Sequence, residues 1–77
     1  MNVNSFYKSQ REVAKALNKV IDSYWSSSIS ENEMKKLIRK IYTNNRERIF
    51  KEDQLTRVVI QQCGKKRLEV LTKVISI

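Results

Sequence analysis

Among the 77 residues, the side chains best placed to do chemistry together are three cations. Lys65, Lys66 and Arg67 directly follow Gly64, the only glycine in a chain that has no proline. Gly64 is thus the strongest local breaker available, and it is expected to end one helix and leave the triplet in the first turn of the next. Cations are misplaced there, because a helix N-terminus carries partial positive charge, and each one costs up to about 0.3–1 kcal/mol when exposed. A bound phosphate reverses the sign, since backbone N–H groups and cations then face the same anion. Gln61 and Gln62 flank the triplet and are the candidates for reaching base edges. A structural reading competes with this one. The cations can instead serve the last carbonyls of the preceding helix, or the helix can run straight through residue 64.

Catalytic chemistry has little to work with. Histidine is absent, and one cysteine, Cys63, stands alone. Histidine-based triads and general bases are therefore excluded, as are metal sites built on His and Cys clusters. A single glycine cannot form a phosphate-cradling glycine loop. The composition points away from an enzyme and away from any cofactor. Cys63 reads as a small buried hydrophobe, and no intramolecular disulfide can form.

Sixteen Lys and Arg face eight Asp and Glu, a net charge of +8. Residues 1–45 carry eight basic and four acidic groups, and residues 46–77 carry the same numbers, so the charge belongs to the whole body and not to a tail. Such a surface suits a polyanion or an acidic partner, although charge of this size also serves solubility. No signal-peptide pattern is present, and no apolar run approaches the roughly 20 residues that a membrane span needs. A cytoplasmic protein without a membrane partner is expected.

The elements that must position these groups are mostly helical. From Ser9 to about Trp25, the residues Val13, Leu17, Val20, Ile21 and Tyr24 form one helical stripe, and Ser9 with Glu12 fits a capping box. The next helix has a complete start signal: Ser30 as N-cap, Glu33 three residues on, and Ile29 with Met34 as a hydrophobic staple. Met34, Leu37, Ile38, Ile41 and Tyr42 face inward, and Lys35, Lys36, Arg39 and Lys40 lie across from them. Asn44 and Asn45 can end this helix in a left-handed cap, or it can continue to Ile49 and Phe50. Asp53 is a plausible N-cap for a third helix over 54–63, and a fourth is expected over 65–76.

The expected fold is all-α: one small domain over 1–77, a bundle of three to four helices, with a helix-turn-helix-like C-terminal half as one possibility. Against that template Gly64 and Val70 fit, whereas Ile60 and Lys65 do not. The rival is an α+β winged helix with a hairpin over 58–77, suggested by the β-branched residues there. A chain this short buries only about 60% of its unfolded surface, so a homodimer is a natural remedy. Tyr24, Trp25, Val70 and Ile77 are the candidate interface residues. An anionic membrane surface is a third conceivable partner for two basic amphipathic helices, but a shared core explains their apolar faces better.

Two stretches carry a resemblance. One runs Phe6-Tyr7-Lys8-Ser9-Gln10-Arg11-Glu12-Val13-Ala14 and closes with Asp22-Ser23-Tyr24-Trp25. The other runs Gln61-Gln62-Cys63-Gly64-Lys65-Lys66-Arg67-Leu68-Glu69-Val70-Leu71. Together they resemble a group of small uncharacterised proteins from low-GC Gram-positive bacteria and their prophages. The group carries no defined catalytic or binding motif, so no residue role transfers from it. The resemblance implies a mobile-element setting. Small basic proteins there are often DNA-binding regulators, or recombination directionality factors acting with a serine integrase. Two functional expectations follow. One is a nucleic-acid-associated accessory protein that holds DNA phosphates with Lys65, Lys66 and Arg67, helped by Lys35, Lys36, Arg39 and Lys40. The other is a module acting on a protein partner such as a recombinase, without DNA contact of its own.

Overall fold

The computed structural model describes residue 1 and residues 3–75. The order of elements is α1 (Gln10–Trp25), α2 (Glu31–Asn44), α3 (Arg46–Ile49), β1 (Phe50–Lys51), β2 (Gln54–Leu55) and α4 (Arg57–Ile75). The chain is a small helical bundle with one minimal hairpin. α1 packs most extensively against α4 and next against α2.

Both early helices start as their sequences dictate. Ser9 Oγ accepts from the Glu12 N–H at 3.1 Å, and Glu12 Oε2 accepts from the Lys8 N–H at 3.1 Å. Ser30 Oγ accepts from the Glu33 N–H at 3.1 Å. The stripes Val13, Leu17, Val20, Ile21 and Met34, Leu37, Ile38, Ile41 are buried against each other and against Ile49, Val59, Cys63, Leu71 and Val74. These apolar faces are thus used within the bundle. Among the described residues, no helix is long and apolar enough to cross a membrane.

α1 ends in a Schellman motif. The Ser28 N–H donates to Ser23 O at 2.8 Å and the Ser27 N–H to Tyr24 O at 3.0 Å, with Ser27 left-handed at φ 65°. α2 ends by other means than the left-handed cap expected of an asparagine. Asn45 has φ −135° and works through its side chain. Its Nδ2 donates to Ile41 O at 2.9 Å and to Ser5 O at 2.8 Å, while Oδ1 accepts from the Tyr7 N–H at 3.1 Å. At 2% exposure, this amide ties the N-terminal segment to the end of α2.

The expected helix start at Asp53 is corrected. Glu52 and Asp53 have φ 52° and 63°, and they turn the two-residue hairpin that pairs Phe50 with Leu55 and Lys51 with Gln54. Positive φ at both turn residues matches the right-handed twist of the strands. α4 begins three residues later, after buried Thr56, whose N–H and Oγ1 donate to Ile49 O and Arg48 O, each at 2.9 Å.

Residues 58–75 are helical, so no hairpin forms there and the winged-helix alternative loses its wing. Periodicity decides this: Val59, Cys63, Leu71 and Val74 reach the core at helical intervals, which alternating strands cannot match. The helix does break at Gly64, with φ 76° and ψ 169°. That conformation belongs almost solely to glycine. The two segments, 57–63 and 65–75, are joined by this one residue. The three- or four-residue turn of a DNA-binding helix-turn-helix is shortened to a single position.

Candidate functional site

The break at Gly64 strands carbonyl groups at the end of the 57–63 segment. Two side chains serve them, one from α1 and one from the following segment of α4. Asn18 Nδ2 on α1 donates to Gln62 O at 2.9 Å, and Arg67 Nη1 donates to Cys63 O at 3.3 Å. Arg67 also grips Asp22 with two parallel bonds, Nε to Oδ1 and Nη2 to Oδ2, each 2.9 Å. Its guanidinium lies 6.0 Å from the centre of the Trp25 ring. The hydrogen bonds to Asp22 raise the Arg67 pKa further above its ordinary value. Arg67 is therefore engaged within the fold and positions the break; it does not stand free for a ligand. Lys65, Lys66 and Gln61 are exposed, and Gln62 is half-buried.

Cys63 is 2% exposed. Burial pushes its thiol up to about 11, and the nearby Arg67 charge draws it back only in part. It is a packed, protonated side chain and not a nucleophile.

A second location gathers residues that the sequence suggested for separate roles. Between the end of α1, the first turns of α2 and the C-terminal part of α4 runs a groove of about 410 Å³. Tyr24, Trp25, Met34, Val70 and Val74 give it an apolar lining, and Lys35, Arg39, Lys73 and Glu31 supply its charge. Trp25 is 48% exposed. Lys35 Nζ lies 3.6 Å from Glu31 Oε2, so the acid is matched within its own helix. Three candidate interface residues and two candidate phosphate contacts thus share one surface. Ile77 lies outside the described residues.

Lys36 and Lys40 are exposed on another strip of α2 and do not line the groove. Lys65 instead borders a shallow apolar hollow with Leu55, Ile60 and Leu68. Sequence reasoning missed Lys73, whose seven-residue spacing from Lys66 places both on one face of α4. It also missed Asp22 and Asn18, and the tie that Asn45, expected only as a helix end, makes to Ser5 and Tyr7; these partners lie far away along the chain.

Fold and surface together define a small basic helical bundle with open cationic faces and one aromatic groove. Over residues 4–76, the chain matches the CLB_0814 family, described as "Conserved hypothetical protein", and it belongs to that family. No curated protein and no solved structure matches it.

Proposed function

We propose that the protein is a nucleic-acid-associated accessory protein that binds DNA phosphates through its open cations. The observation that carries this reading is the lack of internal neutralisation. Among the described residues, only Lys35–Glu31 and Arg67–Asp22 form ion pairs, although the chain holds sixteen basic groups. Most of the positive charge therefore faces solvent, where releasing counterions from a polyanion drives binding. Lys65 and Lys66 after the break, and Lys36 and Lys40 on α2, are the cations assigned to phosphate. Arg67 leaves the contact set because Asp22 and Cys63 O hold it. Gln61 remains the candidate for base contact. A mobile-element setting, as the resemblance implies, suits this role.

The test is a titration of duplex DNA at several salt concentrations, repeated with Lys65→Ala/Lys66→Ala and with Lys36→Ala/Lys40→Ala. Binding should weaken steeply with salt, and each phosphate contact removed should lower the logarithmic slope by about 0.9. A salt-independent signal, or four alanines without effect, overturns the reading. The second reading, a module acting on a protein partner such as a recombinase, is favoured by the groove beside Trp25.

A further inference from the structure

We infer that the groove between α1, α2 and the C-terminal part of α4 is the docking site for an acidic amphipathic helix of a partner protein. The inference concerns a different surface from the cations assigned to DNA.

The lining and rim specify the occupant. Val70 offers aliphatic contact above a floor formed by the buried side chains of Met34 and Val74, and half-exposed Trp25 with Tyr24 forms an aromatic wall. Such a surface accepts the Leu, Ile or Phe side chains that an amphipathic helix presents at three- and four-residue spacing. Around it stand Lys35, Arg39 and Lys73 against one acid, Glu31, which is already paired with Lys35. Arg39 and Lys73 have no ion-pair partner among the described residues. An acidic polar face flanking the apolar stripe supplies what the rim lacks, and complementary charge speeds encounter and fixes register.

Two other occupants fit less well. A nucleobase stacked on Trp25 would leave Val70 and the aliphatic floor of the groove uncovered. A second copy in a symmetric dimer would set the same patch against itself. Its three cations would then meet three cations.

Trp25 is the only tryptophan in the chain, so its emission reports directly on the groove. The experiment selects random peptides displayed on phage against the whole protein. Lys35→Glu/Arg39→Glu/Lys73→Glu serves as the counter-target, after circular dichroism shows that it is folded. Lys73→Gln, at an exposed position, takes its place if it is not. Enriched peptides should be net acidic with apolar residues at helical spacing. They should shift Trp25 emission to shorter wavelength, and they should lose roughly tenfold or more in affinity for the charge-reversed variant. The inference is overturned by no enrichment, by winners that bind the variant equally well, or by winners without acidic character. It is also overturned if a single-stranded oligonucleotide displaces the peptides from Trp25, or if sedimentation shows a dimer that the charge reversal abolishes. Because Lys36, Lys40, Lys65 and Lys66 do not line the groove, failure here is separable from failure of the DNA titration.

Discussion

Replacing Gly64 with alanine of either hand tests whether the core enforces the break in α4. The position is exposed, and an added L-Cβ meets no atom within 4 Å, so crowding is not the issue. The cost is conformational. At φ 76° and ψ 169°, an L-residue is strained by roughly 1–3 kcal/mol. The chain has one escape, which is to straighten into a continuous helix and regain about 1 kcal/mol of helix propensity. Straightening would turn 65–75 against 57–63, so that Val59 with Cys63 or Leu71 with Val74 must leave the core. Each such side chain costs about 1.5–3 kcal/mol to expose, so enduring the strain is the cheaper course. Gly64→Ala should therefore destabilise by about 1–3 kcal/mol, with the midpoint falling about 4–8 °C for each of them. D-alanine inverts the expectation, since the mirror image of this conformation is ordinary extended backbone. It should match glycine or exceed it by up to about 1 kcal/mol through a stiffer unfolded chain. Cys63 supplies a ligation junction, so a peptide of 63–77 carrying D-alanine at position 64 can be joined to the remainder. Denaturation curves for the three proteins decide the matter. Equal stability of the two alanine forms, or a more helical and more stable L-form, refutes the claim that tertiary packing imposes the break.

Three further outcomes follow from other positions. Ser27 closes α1 at φ 65°, so Ser27→Gly should raise stability by roughly 1–2 kcal/mol in a urea titration, and no gain would remove the strain argument. Asn45→Ala leaves Ser5 O, Ile41 O and the Tyr7 N–H without their partner, which should cost about 2–3 kcal/mol and speed amide exchange at Tyr7. Wild-type protection at Tyr7 in the variant would contradict this. Cys63 should resist alkylation in the native protein at pH 8. Its thiol titrates near 9.0 when unfolded and about 11 when folded, so its contribution is complete below pH 9 and is lost as pH climbs toward 11. The stability advantage over Cys63→Ala should shrink across that window, and a constant difference would show that the thiol does not ionise differently in the two states.

Legibility followed locality. The starts of α1 and α2 were readable because a cap and its N–H partner lie three residues apart, and the stripes needed only periodicity. The hairpin escaped notice because its strands are two residues long, too short for alternation to appear, and because Glu-Asp fills a turn that usually signals itself with glycine. Asn45 was readable as a helix end but not as a tie, since Ser5 and Tyr7 lie 40 and 38 positions away. The groove was half legible. Tyr24, Trp25 and Val70 stood out as interface and Lys35 and Arg39 as cations, but nothing in the spacing tells that α2 and α4 bring them to one surface.

The cation triplet shows how a charge anomaly divides once tertiary contacts are known. Stability explains Arg67, because Asp22 lies 45 positions earlier and the Cys63 carbonyl needs a donor. It does not explain Lys65 and Lys66, which remain exposed at the start of a helical segment with no ion pair among the described residues. The misplaced charge is therefore two cations and not three, and the third has a different use. By gripping Asp22 and facing Trp25, Arg67 couples the break to one wall of the groove. A change at Gly64 that shifts Arg67 should then alter Trp25 emission even though residue 64 does not line the groove.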